Sequence, residues 1–109
     1  MSFGNPSSSV LSDSGTYLGN NAASKAIAHN LNRIPALVVI VCYSGSTIIA
    51  VQLKSAPSIC TGVSNTGVTL AESAVVAAQM TTTNFYVGNA TDDEMACNKA
   101  KNYYWIAVG

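Results

Sequence analysis

The chain holds a single histidine, His29, which would have to serve as the base in any Ser-His-Asp hydrolase arrangement. Thirteen serines and Asp13, Asp92 and Asp93 are nominal partners, but no Gly-x-Ser-x-Gly elbow presents a nucleophile. His29 directly precedes Asn30-Leu31-Asn32-Arg33-Ile34-Pro35, so its expected task is to close that turn by bonding a backbone carbonyl. The one acidic cluster, Asp92, Asp93 and Glu94, offers carboxylates to a hard cation, and Ca²⁺ takes about six to eight oxygens. Three consecutive residues cannot all face one ion along an extended strand, and the spacing Asp-x-Asp-x-Asp-Gly is absent, so a solvated loop or a helix start is expected there. Cys42, Cys60 and Cys97 form no Cys-x-x-Cys pair and fall short of the four ligands of a structural zinc site. They read as buried reduced thiols, with a Cys60–Cys97 bridge as the alternative. The glycines are dispersed at turns and build no phosphate cradle. Tyr17, Tyr43, Tyr86, Tyr103, Tyr104 and Trp105 lie in apolar strands, where core packing is the expected use and a sugar platform the competing one. No catalytic, cofactor-binding or metal-binding residue is assigned, and neither enzyme activity, a cofactor nor a small-molecule ligand is expected.

The elements that would position such groups are drawn from an unusual composition. The 109 residues suffice for one domain with its own core. Surface scaling predicts a folded area of roughly 5,700 Å², about 65% of the unfolded chain's surface having been buried. Charged residues make up 9% of the chain, five acids and five bases, where an average domain of this length carries about 27. Thirteen Ser, nine Thr and ten Asn supply the polar surface instead. Zero net charge without a basic cluster removes the counterion-release drive for nucleic acid and the attraction to anionic membranes. The longest apolar stretch, Ile34 to Tyr43, is ten residues and contains Pro35, about half of what a helical span needs. The N-terminus has neither a positive n-region nor an apolar h-region, so synthesis in a cytoplasm is expected. Near-neutrality also removes charge repulsion against self-association.

From residue 14 onward the chain is β-like. Thr16-Tyr17-Leu18, Lys25 to His29, Ala36 to Tyr43 and Thr47 to Leu53 are runs with strand character, separated by Asn-, Ser-, Gly- and Pro-rich turns. Ala36 to Cys42 is a continuous apolar run, which predicts a central strand covered on both faces. Ser44-Gly45-Ser46 turns it into the following strand as a hairpin, and Asn65-Thr66-Gly67 marks a second hairpin turn within Val63 to Leu70. Ala71 to Met80 fits a strand or a helix, and a strand is expected. Asn84 to Val87 and Tyr103 to Val108 are late strands carrying five of the eight aromatics. In the last, Tyr103, Trp105 and Ala107 share one face and Tyr104, Ile106 and Val108 the other, which again predicts two-sided burial. Thr91 to Glu94 fits either a capping box opening a helical turn or a loop. The expected fold is all-β, a single antiparallel β-sandwich, jelly-roll-like or immunoglobulin-like, over residues 14–109. Residues 1–13 form a flexible tail or an extended N-terminal arm whose apolar anchors, Phe3, Val10 and Leu11, are the candidate interface residues.

Gly15-Thr16-Tyr17-Leu18-Gly19-Asn20, then Ile27 to Ile40 with its Asn30-to-Pro35 turn, then Phe85-Tyr86-Val87-Gly88 and the closing Asn102 to Gly109 resemble a module of tailed-bacteriophage virion proteins. In that module a G-x-Y-x-G-N start precedes a G-[LF]-x-x-x-P turn and a V-x-I strand. The resemblance covers about residues 14 to 109 and departs at Asn30, where such turns often carry Gly, and between Asn89 and Lys101, which lacks a small Asn/Gly turn. It implies a virion structural protein, either a capsid decoration (cement) protein or a receptor- or glycan-binding tail-fibre tip. A free-standing unit of this length without a heptad shaft fits decoration better. The implied partners are the major capsid protein and copies of itself, as a homo-oligomer with a trimer favoured, and the implied location is the capsid exterior.

Overall fold

A computed structural model describes residues 12–42, 48–54, 58–64, 73–76, 78–91 and 96–109. They form eight strands: β1 (Ser12–Leu18), β2 (Lys25–Ala28), β3 (Leu37–Cys42), β4 (Ile48–Leu53), β5 (Ser58–Ser64), β6 (Ser73–Val75), β7 (Asn84–Val87) and β8 (Asn102–Val108). Every pairing is antiparallel. Six strands make one sheet in the order β1-β8-β3-β4-β5-β6, and β2 and β7 pair as a second. The fold is therefore an all-β antiparallel sandwich, and its accessible surface of 5572 Å² lies close to the area expected from mass. Among the described residues there is no helix, and so none long and apolar enough to cross a membrane.

Period-2 alternation sends one row of each strand into the core. On β3 the inward row is Val38, Ile40 and Cys42; on β8 it is Tyr103, Trp105 and Ala107, all buried. Ile27 from β2 and Phe85 and Val87 from β7 close the core from the other layer. Trp105 meets Phe85 edge to face at 5.2 Å and 68°, the favoured geometry for two ring quadrupoles, and ties the two sheets together. Gly15 is the cross-strand partner of Trp105, and a Cβ at Gly15 would stand 3.0 Å from the indole. The edge strand thus carries no side chain where the largest ring in the core needs space.

Several expectations change. β3 and β8 are central in the sheet, as the apolar runs predict, but they are buried on one face only: Tyr104, Ile106 and Val108 are 43, 41 and 40% exposed. The second layer is only two strands and lies on the inner side, so nothing among the described residues covers the outer side. β1 starts at Ser12, paired with Val108, so Ser12 and Asp13 belong to the sheet and not to the arm. β5 is an additional strand; Ser58-Ile59-Cys60-Thr61 lacks polar–apolar alternation and follows Pro57, so it reads locally as a turn. Within Ala71 to Met80 the described residues form a strand at Ser73–Val75. The turns at 44–46 and 65–67, and the helix-or-loop alternatives centred on 92–94, lie outside the described residues.

Candidate assembly surface

His29 follows β2 and is 5% exposed. Its Nδ1 accepts the Leu31 N–H at 3.3 Å and its Nε2 lies 3.1 Å from the Thr81 carbonyl oxygen. A carbonyl only accepts, so Nε2 is the donor in this contact and Nδ1 the acceptor in the other. The turn is closed by the Leu31 N–H on Nδ1 and not by a carbonyl of the turn as expected from sequence; the carbonyl that Nε2 serves belongs to Thr81, before β7. The left-handed residue of this turn is Asn32, at φ 59°, whereas Asn30 is not in that region and donates its N–H to Asp13 Oδ2 at 2.9 Å. Asn is therefore tolerated where the resembled module often has Gly.

The Gly-x-Tyr-x-Gly-Asn segment is accounted for by contacts with residues 96–103. Tyr17 stacks on Tyr103, with centroids 4.9 Å apart and planes 11° apart, and donates its hydroxyl to the Cys97 carbonyl at 2.7 Å. Burial, followed by the neighbouring Cys97, pushes the Tyr17 phenol well above its ordinary range. A Cβ on Gly19 would fall 1.8 Å from the Lys99 carbonyl oxygen, so the two backbones approach to a distance only glycine permits. Asn98, wholly buried, donates Nδ2 to Asn20 Oδ1 at 3.0 Å and to the Ala22 carbonyl at 2.8 Å, and accepts the Asn20 N–H at 3.1 Å. Asn21 Oδ1 accepts the Ala100 N–H at 3.0 Å. These Asn side chains stitch the 19–22 and 96–101 loops to each other. They act as internal fasteners, which reduces what the loops present to a glycan.

The remaining chemistry-bearing residues are placed as follows. Cys42 and Cys97 are buried, as expected for small apolar side chains, and the side chain of Cys60 lies outside what the structure describes. Burial, with a smaller contribution from Cys42, pushes the Cys97 thiol up to about 12. No group of three metal-ligating side chains occurs among the described residues, and Asp92, Asp93 and Glu94 lie outside them. Phe3, Val10 and Leu11, the interface residues expected from sequence, also lie outside them, as does Tyr43.

The outer face of the six-stranded sheet is the feature that sequence reasoning missed. Register aligns three outward rows across β8, β3 and β4: Val108, Leu37 and Leu53; Ile106, Val39 and Val51; Tyr104, Val41 and Ile49. The same rows continue onto β1 as Ser12, Ser14 and Thr16. Nine apolar side chains thus form a three-by-three block beside a hydroxyl edge, and none of the twelve positions is Asp, Glu, Lys or Arg. Leu53 is 57% and Ile49 41% exposed, alongside the three β8 residues. At about 150–250 Å² for a large side chain, these five alone expose on the order of 400 Å². A patch of that size matches the largest on a typical soluble domain, and such patches are often functional. The expectation that Tyr104 packs in the core is corrected: it stands outward in this block. The signal was present in the sequence as apolar residues on both alternations of β3 and β8.

Compared with protein-family models, curated proteins and solved structures, the chain matches none.

Proposed function

We propose that this chain is a non-enzymatic structural protein of the tailed-phage virion, a capsid decoration (cement) protein that binds the outer capsid surface and stabilises it. The observation that carries the reading is the uncharged apolar block on the outer sheet face, a broad surface suited to packing against other subunits. The virion assignment rests on the resemblance of residues 14–109 to the phage module. Consistent with a non-enzymatic role, the sole histidine spends both ring nitrogens on backbone groups, and the Gly-Tyr-Gly-Asn motif is spent on fastening loops.

The test is quantitative mass spectrometry of purified virions, with the major capsid protein as the internal standard. Hundreds of copies per particle are expected; a few copies would assign the chain to a tail-fibre tip, and absence would overturn the reading. Replacing Phe3, Val10 and Leu11 together by Ser in the full chain is expected to weaken attachment to capsids while leaving the circular dichroism spectrum unchanged. Unaltered attachment would remove the arm from the proposal.

A further inference from the structure

We propose that a second copy of this chain covers the outer face of the six-stranded sheet, packed face to face across a two-fold axis that passes over Val39. The inference shares with the functional proposal the premise that this face is an assembly surface, and it names the occupant. Three observations favour a copy over an unrelated partner. First, the block is three strands wide and three rows deep with Val39 at its centre, so a two-fold axis lying in the plane between two such sheets sets Val39 against Val39 and apolar block upon apolar block. Second, the face carries neither sign of charge, so it selects no charged partner and does not repel itself, and the whole chain has zero net charge. Third, most of the block is Val or Ile, whose β-branched side chains have few rotamers to lose on contact. Two sheets packed in this way lie about 10 Å apart with aligned strands, as in the interior of a sandwich.

The area sets the strength. Roughly 400 Å² of apolar surface per copy is about half of a standard interface of ~800 Å² per partner, which places the association among weak, reversible ones. In a particle carrying many copies at high local concentration, such a contact forms readily.

The experiment is sedimentation equilibrium of the purified full chain from about 5 to 500 μM, without capsids, at low and high NaCl. The expected result is a monomer–dimer equilibrium that high salt leaves in place, since no ion pair spans the face. Ile106→Lys puts an ammonium group inside the block and is expected to weaken dimerisation about 100-fold or more. Thr82→Lys, on the exposed turn before β7, is expected to change nothing. If Ile106→Lys does not fold by circular dichroism, Leu53→Lys decides, because Leu53 is the most exposed member of the block and ends its strand. A monomer throughout the range, a trimer, or a dimer that persists in a folded block variant would each overturn the proposal. A chain that stays monomeric yet adds to capsids overturns this inference alone, and a dimer that never adds to capsids overturns the decoration reading alone.

Discussion

Asn98 offers the sharpest test of the claim that the Gly-Tyr-Gly-Asn motif is a fastening of the fold. Its carboxamide is fully buried and makes three hydrogen bonds, two donated at 3.0 and 2.8 Å and one accepted at 3.1 Å. Asn98→Ala removes all three at about 1 kcal/mol each and strands the Ala22 carbonyl, so a loss of about 3–4 kcal/mol is expected. Against a total of roughly 5–15 kcal/mol for a domain of this kind, that is a large fraction, and it lowers Tm by about 12–16 °C. Asn98→Asp separates bonding from shape. The aspartate still accepts the Asn20 N–H, but it turns a carboxylate toward the Ala22 carbonyl and Asn20 Oδ1, two acceptors that the native amide served as donor. Apposed acceptors disfavour the ionised form and raise that carboxyl's pKa in the folded state. The sign follows: stability of Asn98→Asp is recovered as pH falls and the acid takes up a proton it can donate, and is lost as pH rises. Urea unfolding of the three proteins at pH 4 and pH 7 measures both effects. A loss under about 1 kcal/mol in Asn98→Ala, or an Asn98→Asp protein as stable as wild type at pH 7, would refute the account of the motif.

Two further outcomes follow from buried polar groups. The Cys97 thiol is pushed from 9.0 up to about 12, chiefly by burial, so between those values the folded chain holds a proton the unfolded chain has released; stability present below pH 9 is lost on the way to pH 12, at up to about 1.4 kcal/mol per pH unit, and the raised Tyr17 phenol adds to the loss at the alkaline end. Urea midpoints at pH 7, 9, 10 and 11 should fall in wild type and fall less steeply in Cys97→Ala; identical slopes would be contrary to this reading. Gln52 is wholly buried, its Oε1 has no partner and its Nε2 reaches the Tyr86 carbonyl only at 3.5 Å, so Gln52→Met, which keeps the volume and discards the orphaned oxygen, is expected to raise stability by about 1 kcal/mol in thermal unfolding, and destabilisation would count against it.

How much of this was legible in the sequence depends on how local each contact is. The apolar runs mark β3 and β8 as central strands without showing which row faces the core, and the Leu31 contact of His29 follows from its place beside its own turn, whereas its bond to Thr81 does not. The partner of Asn20 does not: Asn98 lies far along the chain and reaches it only because β1 pairs with β8, a pairing no local pattern encodes. β5 escaped because Ile59, its buried residue among those described, sits beside hydroxyl-bearing and small residues after a proline. The outer block was visible but misread, because an apolar run states that both faces of a strand avoid water without stating whether the cover comes from the same chain or another molecule.

The sheet supplies its own comparison for deciding which it is. Along each of the three outer rows the edge strand carries Ser12, Ser14 or Thr16, while the adjacent positions on β8, β3 and β4 are apolar without exception. All twelve side chains stand on the same side of one sheet, and the inner core is supplied by the opposite alternation. If the outer face were simply a solvated surface, hydroxyl and charged residues would serve the central strands as well as they serve β1, and would protect the sheet from indiscriminate association. A boundary between polar and apolar that falls between β1 and β8, within rows and not between faces, is what a bounded contact area requires. The scarcity of charge thus has a location: the acids and bases lie off the block, and the neutral surface is concentrated where another subunit is proposed to pack.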